Sequence, residues 1–141
     1  MKSILVAVDG SAPSNRGIAE AAAIAKGLGY SLELVNVLPP VLLAPGVYAD
    51  AIAKVEEGNR EAAQKTLVAA KQLALDAGVN ADTVMLTGGS PAESLAELAQ
   101  AERVWGIVIG AKGHGAVSRV LLGSVTDRLV HIAHKPVLVV R

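Results

Sequence analysis

Ile107-Val108-Ile109-Gly110-Ala111-Lys112-Gly113-His114-Gly115-Ala116-Val117-Ser118-Arg119-Val120-Leu121-Leu122-Gly123-Ser124-Val125 runs from an apolar stretch, through glycine-rich chain, to a helix start. Ile107 to Ile109 reads as a strand buried on both sides, because a parallel strand covered on two faces needs no polar alternation. Ser124 to His134 reads as a helix, and Pro136 to Val140 as a closing strand. A strand, a sharp glycine turn, a helix and another strand form one βαβ passage.

The same alternation extends towards the N-terminus. Ser3 to Val8 is an apolar run ending at the turn signal Asp9-Gly10-Ser11. Ile18, Ala21, Ala22, Ala25 and Leu28 recur at helical spacing, with Gly27 and Gly29 as the stop. Leu32 to Leu38 is a second strand, ended by Pro39-Pro40. Residues 39 to 49 form a loop with three prolines, long enough to act as a flap. From Asp50 to Ala77, the residues Ile52, Val55, Ala62, Ala63, Leu67, Ala70, Leu73 and Ala74 mark one helix face, and Gly78 caps it. Thr83 to Thr87 is a third strand. Ser90, Pro91 and Glu93 then supply an N-cap hydroxyl, a first-turn proline and the acid of a capping box. Leu95, Leu98 and Ala99 are the buried side of that helix. No repeat or linker interrupts the chain. One α/β domain over residues 1–141 is the expectation, with a parallel sheet covered on both faces.

Composition narrows the function. The chain is 52% hydrophobic, which excludes a disordered segment. Its only aromatic residues are Trp105, Tyr30 and Tyr48, too few for a base-stacking reader of RNA or single-stranded DNA. Zero formal net charge gives no general pull towards nucleic acid or an anionic membrane. From Arg103 to Arg141, however, six basic residues face the single acid Asp127, which suits an anion site. The lack of cysteine excludes thiol catalysis and cysteine-ligated zinc. No stretch reaches the ~20 apolar residues of a spanning helix, and the start is too short for a signal-peptide core. The chain reads as cytoplasmic.

Gly110 and Gly113 follow a strand directly. Glycine there permits positive φ and lets backbone N–H groups approach a ligand with no Cβ in the way. Gly123-Ser124 opens a helix whose free amides and positive dipole end suit an oxyanion, with the Ser124 hydroxyl as a further donor. The segment is neither a GxxxxGK[ST] loop nor GxGxxG, since Ser118 stands where the third glycine belongs. A phosphate site, or a tight turn followed by an ordinary serine N-cap, both account for these residues.

The spacing Gly110-x2-Gly113-x9-Gly123-Ser124 resembles the ATP-binding signature of the universal stress protein family, G-x2-G-x9-G-(S/T). Ile4-Leu5-Val6-Ala7-Val8-Asp9-Gly10-Ser11, Gly89 to Glu93 and the closing Lys135-Pro136-Val137-Leu138-Val139-Val140 extend that resemblance over the chain. It implies a single open five-stranded parallel sheet in the order 3-2-1-4-5, Rossmann-like and similar to the adenine nucleotide alpha hydrolases. Ligands of such sheets bind beyond the strand ends where the chain reverses direction. By resemblance, Ala7 and Asp9 lie at the adenine and ribose end, and Val37 packs on adenine. Gly110 and Gly113 would approach the ribose and α-phosphate. Gly123, Ser124 and Val125 would donate to the outer phosphates. The implied cofactor is ATP, with AMP or ADP as alternatives and magnesium held mainly by the phosphates. A homodimer pairing the last strands is also implied. Trp105 departs from the family, which often has Asp there. Lys112 and His114 inherit no role; Lys112 either reaches a phosphate as a point charge or is solvated.

Other chemistries are poorly supported. His131 and His134 fall on one helix face, but nothing nearby completes a metal site. No GxSxG elbow supports a hydrolase. No general base stands beside the glycines, so the expected function is a nucleotide-dependent sensor or regulator, with slow ATP hydrolysis at most. A dimeric interaction module of the same fold without nucleotide is the alternative. Asp9 has a competing role as a cap of its turn or of the next helix.

Overall fold

The computed structural model describes residues 1–42, 44–113 and 121–141. His114, Gly115, Ser118 and Arg119, weighed above, lie outside the described residues. The elements in chain order are β1 (Ser3–Ala7), α1 (Ala12–Leu28), β2 (Ser31–Leu38), α2 (Ala49–Asp76), β3 (Ala81–Thr87), α3 (Pro91–Leu98), β4 (Val104–Gly110), α4 (Ser124–Ile132) and β5 (Val137–Val140). The strands form one all-parallel sheet in the order β3-β2-β1-β4-β5, as the resemblance implied.

Alternation along β1 explains both layers. Ile4, Val6 and Val8 point to one face and pack with Ile18, Ala21 and Ala25 of α1 and Leu67, Ala70 and Ala74 of α2. Leu5 points to the other and packs with Leu95 of α3 and Leu129 of α4. Period-2 strands thus feed two cores, one on each side of the sheet.

The helix ends follow their caps. Ser14 N donates to Ser11 Oγ at 3.3 Å to start α1. The stop is Gly29 alone, at φ 71°, while Gly27 remains inside the helix. Ser90 is the N-cap of α3, but its side chain makes no cap bond. The expected capping box does not form, because Glu93 reaches instead to Arg128 Nη2 of α4 at 3.3 Å.

Two burial expectations are corrected. The packed stripe of α2 is Ala63, Leu67, Ala70 and Ala74, while Val55 and Leu73 are exposed. The sheet is too short to cover 28 residues of helix, so the first half of α2 has no strand beneath it. β5 is half-buried, not buried on both sides, because it is the sheet edge.

At the N-terminal end of the sheet a buried carboxylate pairs with a solvent-exposed guanidinium. Glu33 on β2 accepts from Ser3 Oγ at 2.5 Å and from Arg103 Nε and Nη2 at 2.8 and 3.0 Å. Burial raises the carboxyl's pKa, but the Arg103 and Ser3 hydrogen bonds and the guanidinium charge outweigh it, and the net direction is down. A carboxyl held below its unfolded value adds stability above that value, and loses it as pH falls through the folded one. Wild type and Glu33→Gln should therefore differ in melting temperature at pH 7, with wild type higher, and converge as pH falls below the ordinary carboxyl value. Thermal scans giving parallel curves over that range would count against the linkage.

Candidate functional site

β1 and β4 are neighbours in the sheet, yet their following segments leave in opposite directions, α1 over one face and α4 over the other. The chain therefore parts at their C-terminal ends and leaves a cleft of 660 Å³. All eight residues singled out in the sequence line it: Ala7, Asp9, Val37, Gly110, Gly113, Gly123, Ser124 and Val125.

Asp9 follows β1 directly. Its Oδ1 accepts from Ser11 N at 2.8 Å, and its own amide donates to Ser14 Oγ at 3.1 Å. The turn-holding role is therefore filled. Its Oδ2 faces across the cleft, 2.5 Å from where a Cβ on Gly113 would stand. One carboxylate thus holds the turn and looks onto the glycine segment.

The glycines work differently from the sequence expectation. Among the described glycines, those with positive φ are 10, 29, 46, 78, 88 and 89, so neither Gly110 nor Gly113 uses the left-handed region. Both matter for the missing side chain. A Cβ on Gly110 would meet Pro13 Cβ at 2.9 Å, Pro13 C at 3.0 Å and Ser14 N at 3.1 Å. The first turn of α1 therefore presses on the end of β4 at a place only glycine fills.

Gly123, not Ser124, is the N-cap of α4, and Asp127 N donates to its carbonyl at 2.9 Å. The Gly123 amide donates to Ala111 O at 2.8 Å, which makes it a brace of the segment and removes it as a donor to a ligand. The amides of Ser124, Val125 and Thr126 occupy the first turn, where no intrahelical acceptor exists. Thr126 Oγ1 donates to Gly110 O at 2.7 Å, tying α4 to the end of β4.

Sequence reasoning missed several lining residues. Asn36 Nδ2 donates to Val8 O at 2.8 Å and braces the ends of β1 and β2. Pro91 and Leu95 bring an apolar wall from α3, facing the half-buried Val37. A polar residue next to Val37 at the end of an apolar strand was the available signal for Asn36. The cleft thus joins an apolar slot to a run of unpaired helix amides, suited to a ligand with a flat apolar part and an oxyanion.

The histidine pair is not assembled. α4 ends at Ile132, so His134 lies beyond it, while His131 Nδ1 lies 2.7 Å from Asp127 O. Among the described residues no three His, Cys, Asp or Glu side chains cluster to hold a metal. Among them, too, no helix is long and apolar enough to cross a membrane.

A model of the universal stress protein family matches residues 1–141, and the chain belongs to that family. A universal stress protein of Methanocaldococcus jannaschii is 36% identical over 144 aligned residues, covering 99% of this chain and 82% of its own. One from Mycobacterium tuberculosis is 32% identical over 97% of this chain, which spans about half of that relative's length (47%). Among solved structures, UspA of Lactobacillus plantarum superposes with a TM-score of 0.86 at 25% identity, over 99% of this chain and 97% of its own. The Archaeoglobus fulgidus protein in complex with dAMP gives 0.74 at 25% identity, over 100% and 98%. A universal stress protein in complex with cAMP gives 0.73 at 25%, over 99% and 96%.

The two glycines of the segment should separate in stability measurements. Gly110→Ala forces a methyl against the backbone of Pro13 and Ser14, and should cost about 1–3 kcal/mol in denaturant unfolding. Gly113→Ala meets only the tip of an exposed side chain, Asp9, and should cost about 1 kcal/mol or less. Equal losses would contradict this division.

Proposed function

We propose that this member of the universal stress protein family binds an adenine nucleotide, ATP in the first place, and acts as a nucleotide-dependent sensor or regulator. The observation that carries the reading is the convergence of all eight sequence-selected residues on one cleft at the switch point of the sheet. Similarity to structures holding dAMP and cAMP supports the adenine nucleotide class.

In this reading the adenine lies in the apolar slot with Ala7 at its base and Val37 against its ring. Asp9 accepts from the ribose hydroxyls. Gly110 and Gly113 leave the backbone bare beside the ribose and α-phosphate. Ser124 and Val125 donate amides, and Ser124 its hydroxyl, to the outer phosphates. Gly123 is reassigned to bracing. Magnesium is held mainly by the phosphates. The arrangement stabilises anions without a base positioned to activate water, so turnover is slow or absent.

Mass spectrometry of the purified protein under native conditions should detect a co-purified adenine nucleotide. After stripping, calorimetry should rank ATP affinity as wild type, then Ser124→Ala, then Gly113→Val, since the valine both displaces the Asp9 carboxylate and blocks the backbone. Stripped wild type that binds no adenine nucleotide would overturn the proposal.

Assembly is part of the same reading. β5 is an uncapped edge with Leu138 39% exposed, and edges of that kind pair. A two-fold homodimer joining β5 to its copy is the proposed form. Sedimentation should show a dimer at tens of micromolar, and Leu138→Lys should shift it towards monomer; a monomeric wild type would refute the assembly.

A further inference from the structure

We infer that Lys112 counts phosphates: its charge sets the preference of the cleft for di- and triphosphates over monophosphates. This deepens the nucleotide reading and rests on it. Among the described residues lining the cleft, Lys112 is the one basic side chain, and Asp9 the one acidic. Lys112 is half-buried, and among the described residues it makes no ion pair.

Its position along the cleft is fixed by backbone geometry. A Cβ on Gly123 would stand 3.4 Å from Lys112 Cα, so the lysine springs from chain packed against the cap of α4. The Gly123 amide donating to Ala111 O holds that approach. The lysine therefore belongs to the end that carries the free amides of Ser124 and Val125, while Ala7 and Val37 lie at the ends of β1 and β2.

The two donor types respond differently to charge. Helix amides orient an oxyanion and grip the nearest phosphate much as they would any other. An ammonium on a flexible stem is a point charge, whose attraction grows with each negative charge added within reach. A cation beside the cap of α4 favours a ligand that carries more charge beyond its ribose, as ATP does relative to AMP.

Calorimetry of stripped protein with adenosine, AMP, ADP and ATP tests this in wild type, Lys112→Gln and Lys112→Arg. Lys112→Gln should reduce the ratio of ATP to AMP affinity about tenfold, leave adenosine unchanged, and flatten the salt dependence of ATP binding. Lys112→Arg, which keeps the charge, should retain most of the ratio. An unchanged ratio in Lys112→Gln, or equal losses for AMP and ATP, would overturn the role while leaving the nucleotide reading intact. Stripped wild type that binds none of the four would sink both.

Discussion

The contact on which the cleft depends is the approach of the first turn of α1 to the end of β4 at Gly110. There is no room for a Cβ between Gly110 and the backbone of Pro13 and Ser14. That closeness sets α1 against β4 on one face while α4 starts on the other. Thr126 completes the junction from the opposite side, giving its hydroxyl proton to the Gly110 carbonyl from within a buried position. Two helices on opposite faces are thus registered against one peptide unit. The cleft between their starting ends inherits its width from that unit, and not from side-chain packing at the rim.

The polar cluster around Glu33 and the cleft lie at opposite ends of the sheet. At the N-terminal ends of the strands, Glu33, Ser3 and Arg103 form a saturated polar cluster, and Lys135 Nζ donates to Val104 O at 2.8 Å. Buried charge there is tolerable because it is hydrogen-bonded on several sides. At the C-terminal ends the polar groups are different in kind. Amides at the start of α4 and the Asp9 carboxylate line the cleft, as the parallel topology requires. A parallel sheet delivers its helices to this end N-terminus first, which concentrates partial positive charge there without a single basic residue. Lys112 adds a full charge to that background.

Much of this was legible in the sequence, for identifiable reasons. Strand and helix order could be read because β1 and β4 are continuous apolar runs and Gly29, Gly78 and Pro91 punctuate the helices where they should. Gly110, Gly113, Gly123 and Ser124 could be read from their spacing, which carries information that propensity does not, and the resemblance that it opened pointed to Ala7, Asp9, Val37 and Val125. What failed was the reason attached to each residue. Positive φ was expected at Gly110 and Gly113, but the constraint at both is volume, and a sequence does not show which neighbour will press on a missing Cβ. Ser124 was a plausible cap by residue preference, yet Gly123 occupies the cap and the serine enters the helix. Glu93 had the right spacing for a capping box, and tertiary contact with Arg128 overrode it. The exposed half of α2 was unreadable for another cause: periodicity marks an apolar face but not whether anything lies beneath it.

These corrections change what the glycine signature means physically. Its members share a residue type but carry separate constraints. Gly110 is required by the fold, since a side chain there would collide with α1 even in an empty protein. Gly123 passes close to Lys112, whose Cα would lie 3.4 Å from a Cβ there, while its brace to Ala111 uses only the backbone amide. A Cβ on Gly113 would meet only the Asp9 carboxylate. The fold itself therefore demands glycine at Gly110, while Gly113 keeps the backbone bare beside the cleft. It follows that loss of ligand binding could evolve in this fold by changing Gly113 with little cost in stability. The same loss through Gly110 would have to pass through a damaged sheet. An intact first glycine, with the middle one replaced, is then the pattern expected of a relative that keeps the architecture and closes the cleft.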